Sequence, residues 1–131
     1  MKIGIDAGCL VIKNENQKTG LYRLAVNFLT ALSKLDQENQ YLLFSFAPIE
    51  KGLLRRLGPN FKNVVAWPSL GWLYFALPFF LLISKVDVFL SLSQSLPFFC
   101  FCSKVVVFHD LAFEKSPPLL LKKRSFEIKK D

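Results

Sequence analysis

The polar and apolar positions of the chain form short runs that switch between two periods. "KIGID" (Lys2–Asp6) is largely apolar and closes on a carboxylate, the pattern of a short strand. A polar stretch, "KNENQKTG" (13–20), separates it from "LYRLAVNFLTALSKL" (21–35). There Leu21, Leu24, Ala25, Phe28, Leu32 and Leu35 recur at threes and fours, which predicts a helix with those residues as its core stripe. Arg23, Asn27, Thr30 and Lys34 lie off the stripe, and Thr19 stands at the N-cap position. "QYLLFSF" (40–46) predicts the second strand. Pro48 opens a short basic helix that reaches Leu57, and "GPN" (58–60) breaks it. "NVVAW" (63–67), "DVFLSL" (87–92) and "KVVVF" (104–108) predict three more strands, with an apolar helix over 71–84. The last stretch, "PPLLLKKRSFEIKKD" (117–131), reads as the start of a helix with a basic surface.

Short strands alternating with helices predict an α/β fold, a Rossmann-like parallel sheet with helices on both faces. "VVVF" and "NVVAW" are apolar at consecutive positions, which fits strands buried on both sides. No internal repeat, low-complexity segment or linker divides the chain.

Composition narrows the picture. A chain of 131 residues suits one domain, and 52% hydrophobic with 15% aromatic residues excludes disorder. The net charge of +7 fits nucleic acid, anionic lipid or phosphorylated substrates as partners, or solubility alone. No nucleic-acid-binding motif accompanies it, so no nucleic-acid partner is expected. Lys122, Lys123, Arg124, Lys129 and Lys130 flank apolar Leu119, Leu120 and Leu121, a pattern of either an anionic-membrane contact or a solvated helix face. "LGWLYFALPFFLLI" (70–83) is uncharged, but Pro78 interrupts it and it falls short of the ~20 residues a spanning helix needs. A buried helix, or one touching a membrane surface, is expected instead. Asp6 stands where the apolar region of a signal peptide would be, so none is expected. Cys9, Cys100 and Cys102 are odd in number and lack C-x-x-C spacing, which predicts buried, reduced thiols and no metal site.

Ligands of open α/β sheets bind outside the carboxyl ends of the strands. Asp6 follows the first strand, residues 91–94 with Ser93 end the fourth, and His109 and Asp110 follow the fifth. The polar loop leads from the same edge to a helix start at Gly20, whose free N–H groups suit phosphate, and Arg23 adds a charged donor. His109, the single histidine, ends the apolar run "VVVF". It is suited to donate a hydrogen bond or accept a proton near neutral pH, or simply to cap the strand.

Five stretches in order resemble the N-terminal domain of retaining GT-B glycosyltransferases of family 4, the glycosyltransferase group 1. "MKIGIDA" is similar to their opening strand, and "KTGLYRLAVNFLTAL" to a loop and helix of the form TGIGRYxxNLLxAL. "NQYLLF" resembles the second strand. "WLYFALPFFLLISKVDVFLSLSQSLPF" is similar to W…LP…DVFHSP…LP, and "VVVFHDLAFEKSP" to VVTIHDLAFxxxP. The resemblance implies transfer of a sugar from a nucleotide-sugar donor to a sugar or lipid-linked acceptor, with retention, in polysaccharide or glycolipid synthesis. It implies no cofactor and generally no metal. The N-terminal domain mostly binds the acceptor, and a C-terminal domain holds the donor. His109 is then the catalytic candidate, and Asp6, Gly20, Arg23, Ser93 and Asp110 are substrate-binding candidates. A cytoplasmic enzyme, peripheral to the inner face of the plasma membrane, is implied.

The departures are specific. Tyr22 replaces the second loop glycine, Gly8 the arginine after "DA", Leu90 the histidine of "DVFHSP" and Leu92 its proline. The chain ends at Asp131 inside an expected helix, so residues 1–131 read as a single incomplete acceptor-side domain without the donor domain. No transfer is expected from this polypeptide alone, and a partner chain or further domain would have to supply the donor half. The alternative is a non-catalytic binding protein on the same fold, associated with a membrane surface.

Overall fold

The computed structural model describes residues 1–93, 95–97 and 99–107. Its elements in chain order are β1 (Lys2–Asp6), α1 (Gly20–Leu35), β2 (Gln40–Ser45), α2 (Lys51–Leu57), β3 (Phe61–Val65), α3 (Ala76–Ile83), β4 (Val88–Ser91) and β5 (Ser103–Val106). Two 3-10 turns, Gly8–Leu10 and Glu15–Gln17, lie between β1 and α1. The strands form one five-stranded sheet in the order β3-β2-β1-β4-β5, and every neighbouring pair is parallel. The Rossmann-like α/β fold expected from the alternating pattern is therefore present.

The winding sets the layers. From β1 the chain steps outward to β2 and β3, with α1 and α2 as connections. It then crosses back through α3 to place β4 on the other side of β1. On one face, Tyr22, Ala25 and Leu29 of α1 and Leu53 and Leu57 of α2 pack with Ile5, Tyr41, Leu43 and Phe61 of the sheet. On the other, Leu77 and Leu81 of α3 pack with Phe44, Val86 and Phe89. Gly4 makes that second layer close. A Cβ there would stand 2.9 Å from Phe44 Cε2 and 3.1 Å from Val86 Cγ1. Tyr41 and Phe61 stack across β2 and β3, with ring centroids 4.6 Å apart.

Three expectations are corrected. The core stripe of α1 is rotated by about one residue. Tyr22, Ala25 and Leu29 are buried, whereas Leu24, Phe28 and Leu35 are exposed. The apolar arc of this helix is wider than its contact with the sheet, and the small side chain of Ala25 lets α1 approach closely. The third strand begins two residues earlier than expected, at Phe61. Asn63 belongs inside it because its amide donates to Leu43 O and Ser45 Oγ, both at 2.8 Å, and accepts from Ile49 N at 3.2 Å. The apolar helix is shorter than expected, Ala76–Ile83, with turns over 70–75 before it. Pro78 lies in its first turn, where a missing N–H costs no helical bond. Only its inner side is buried. Among the described residues, no helix is long and apolar enough to cross a membrane.

A polar hub closes the turn between α1 and β2. Asp36 accepts hydrogen bonds from Tyr41 Oη, from Asn39 Nδ2 and from the N–H groups of Glu38 and Asn39. Asn60 Nδ2 donates to the carbonyls of Asp36 and Asn39, tying the start of β3 to the same turn.

Candidate functional site

The order of strands reverses between β1 and β4, and a crevice at such a switch point is where ligands of open α/β sheets bind. Asp6 ends β1 there, and Ser93 follows β4. Ser93 Oγ donates to Asp6 Oδ2 at 2.5 Å, so one hydrogen bond bridges the two strands across the switch point. The other carboxylate oxygen accepts the Gly8 N–H at 3.0 Å. Asp6 is 3% exposed. Burial pushes its pKa up from the ordinary carboxylate range, against the lowering effect of the bonds from Ser93 and Gly8. A shifted acid at the switch point of an α/β sheet marks a candidate site. The carboxylate of Asp6 is enclosed. It orients the half-exposed Ser93 hydroxyl, whose lone pairs remain for a ligand.

An aromatic wall stands beside this pair, and the sequence reading did not name it. Trp72 and Phe46 are half-buried, with ring centroids 5.8 Å apart and planes tilted by 55°. Gly8 makes room for it: a Cβ at that position would lie 3.0 Å from Trp72 Cζ2 and 3.3 Å from Asp6 Oδ1. A long charged side chain at position 8 would displace the indole. The absence of a side chain at Gly8 thus leaves an aromatic surface beside Asp6. The only signal available beforehand was the departure at Gly8, since Trp72 is far from it along the chain.

The remaining candidates separate into two groups. Gly20 opens α1 and Arg23 lies in its first turn, both exposed. Among the described residues neither hydrogen-bonds to the Asp6–Ser93 pair. Thr19 Oγ1 accepts the Tyr22 N–H at 3.4 Å, so the expected cap is present and one helix-start donor is already used. A Cβ on Gly20 would meet nothing within 4 Å, so space does not require glycine there. The loop before α1 instead shapes a cleft of about 350 Å³ lined by Ile12, Lys13, Asn14, Glu15, Lys18, Pro48 and Glu50. His109, Asp110 and the basic tail lie outside the described residues.

The departures of Leu90, Leu92 and Tyr22 have a common outcome. Leu92 and Tyr22 are buried, and Leu90 packs against the same core. Positions that are polar or special in the family pattern have joined the hydrophobic layer under α1. The cysteines are free and only partly buried, a correction to the expected full burial. Cys9 lies behind Asp6, and burial first, then the Asp6 charge, pushes its thiol up to about 11. Cys100 and Cys102 face each other with sulfurs 2.8 Å apart, and burial is the largest cause pushing Cys102 up to about 12. Among the described residues no group of three or more His, Cys, Asp or Glu side chains is gathered to hold a metal ion.

No family model matches the chain, and no curated protein or solved structure matches it either.

Proposed function

We propose that this chain is the acceptor-side part of a retaining sugar transferase, and that the crevice at the β1–β4 switch point takes a sugar of the acceptor. The observation that carries the reading is the Asp6–Ser93 bridge beside the Trp72–Phe46 wall. A pyranose presents hydroxyls at its rim and C–H bonds on its faces. A hydroxyl held in one orientation by a buried carboxylate suits the first, and an aromatic surface suits the second. The family-like order of sequence stretches, ending in "VVVFHDLAF", supports the same reading. In the whole reaction His109 is the proposed polar contact near the reacting sugar. In such an enzyme the nucleotide-sugar donor is held by a partner chain or a further domain.

The test is a chemical-shift titration with methyl glycosides of glucose, galactose and N-acetylglucosamine. Weak binding, with shifts confined to Asp6, Gly8, Ser93 and Trp72 and abolished by Trp72→Ala, is the expected result. Shifts scattered over the surface for all three glycosides would remove the sugar-site reading. A purely binding role on the same fold rests on the loss of polar residues at Tyr22, Leu90 and Leu92. His109→Ala separates the two. Unchanged partner binding by the variant would favour the non-catalytic role, and a clear loss would favour the site.

A further inference from the structure

We propose that the outer side of α3 and the turns leading into it form a docking surface for an anionic lipid bilayer. Helix α3, "ALPFFLLI", carries no charged side chain on any side. A helix apolar all round is normally enclosed. Here Ala76, Leu77 and Leu81 face the core, while Phe79, Leu82 and Ile83 continue outward from Phe75 at helical spacing and are exposed. The preceding turns carry further exposed apolar side chains, with Trp67 77%, Leu70 90%, Tyr74 58% and Phe75 77% exposed. Phe101, 80% exposed, joins the lower end of α3, where it lines a 220 Å³ hollow with Leu81, Leu82 and Lys85. Isolated exposed apolar residues need no explanation, but a continuous surface of this kind marks an interaction.

Charge selects the occupant. Leu42 and Val64 pack on the α3 side of the sheet, and Lys62 is paired with Leu42 and alternates with Val64, so it shares that face. Lys104 is paired with Phe89 of the same layer. Lys2 reaches Ser84 O at the end of α3, at 3.4 Å, and Lys85 follows directly. Lys2, Lys62, Lys85 and Lys104 therefore border the apolar surface. Among the described acids, Asp87 accepts the Lys2 N–H at 2.7 Å, and Glu38 lines the groove shared with Lys2 and Lys62. Two copies of the chain meeting through this surface would bring like lysines together. A bilayer takes the rings into its interface and pairs the lysines with anionic headgroups. Tryptophan and tyrosine together with phenylalanine and leucine are the residues that interface favours. This inference does not depend on the sugar-site reading, because the surface lies on the flank of the sheet and its test uses no sugar.

The experiment is co-sedimentation of the full chain with vesicles of phosphatidylcholine, with and without about one third phosphatidylglycerol. Partition is expected to be about tenfold or more stronger onto the anionic vesicles, since lysines near such a surface are attracted to its headgroups, and to weaken with salt. Lys62→Gln with Lys104→Gln should reduce the anionic preference. Phe75→Ser with Phe79→Ser should reduce partition onto both, with unchanged thermal melting because both rings are exposed. Brominated lipid should quench the fluorescence, and Trp67→Phe should remove most of that quenching. Equal partition onto both vesicle types, or no loss in the phenylalanine variant, overturns the proposal. So does a vesicle-free sample that is a dimer in analytical ultracentrifugation and becomes monomeric in the phenylalanine variant, which would assign the surface to a second copy.

Discussion

Asp6 illustrates how one side chain links stability to function. Its pKa in the folded state is raised, chiefly by burial, so ionising it costs more in the folded than in the unfolded chain. The sign follows by linkage. Its contribution is favourable below the unfolded value, near pH ~3.9, and is lost as pH rises through the folded value. Asp6→Asn should therefore be more stable than the wild-type chain at neutral pH and lose that advantage as pH falls toward ~4. Urea unfolding of both proteins across this window measures the difference, and parallel curves would show that Asp6 carries no such cost. Asp36 has the opposite sign. The hydroxyl of Tyr41, then Asn39 and backbone N–H groups, hold its carboxyl well below the usual range. Its contribution is present above the unfolded value and disappears as pH falls through the folded one. Asp36→Ala should lower Tm at neutral pH and converge with wild type in strong acid, by calorimetry at both ends. Local chemistry of this kind was unevenly legible. Thr19 was readable because a cap involves only residues three apart. The Asp36 hub was not, because its carboxylate takes its meaning from Tyr41 and its carbonyl from Asn60, which belong to other elements.

Elements were legible in kind and less so in placement. Every strand expected from an apolar run is present, but the two-sided burial expected for "NVVAW" and "VVVF" is corrected, because β3 and β5 form the two edges of the sheet, β3 is mostly half-buried and β5 is largely exposed. Their ends moved by a residue or two where a side chain changed role, as Asn63 did by bonding across β2 and β3. For α1 the period was right and the phase was not, since a helix with so many apolar residues permits several core stripes. The corrected phase is testable. Leu29→Ala should cost about 2–5 kcal/mol, as a buried truncation does. Leu24→Ala, at an exposed position, should cost under about 1 kcal/mol. Denaturant unfolding of the two variants would reverse in order if the expected stripe were the core. Gly4 gives the matching test for the α3 layer. Gly4→Ala places a methyl against Phe44 and Val86, and the resulting overpacking should destabilise by about 1–3 kcal/mol in the same assay.

At the scale of the whole molecule, the switch point and the α3 surface are neighbours, and Trp72 belongs to both. Its ring borders Gly8 and Phe46 at the crevice, while its carbonyl accepts the Leu77 N–H at 2.6 Å inside α3. The sequence indicated the rim through Asp6 and Ser93, because the order of elements alone brings strand ends together. It could not indicate the aromatic wall, which depends on the path of the chain back across the sheet. That path makes one more outcome checkable. In the Trp67→Phe variant, Trp72 is the remaining indole of the chain's two. If α3 seats on a bilayer, the turns that carry Trp72 are held at their outer side, and the ring's surroundings at the crevice change with them. Emission from Trp72 should then shift on adding anionic vesicles, although the ring itself stays half-buried against the sheet. A shift that saturates together with sedimentation would mean that membrane contact and crevice respond as one unit, as ligands that bias the same element must. Emission that stays constant while the protein sediments would mean that the crevice is built before the membrane is reached, and that the two surfaces act independently.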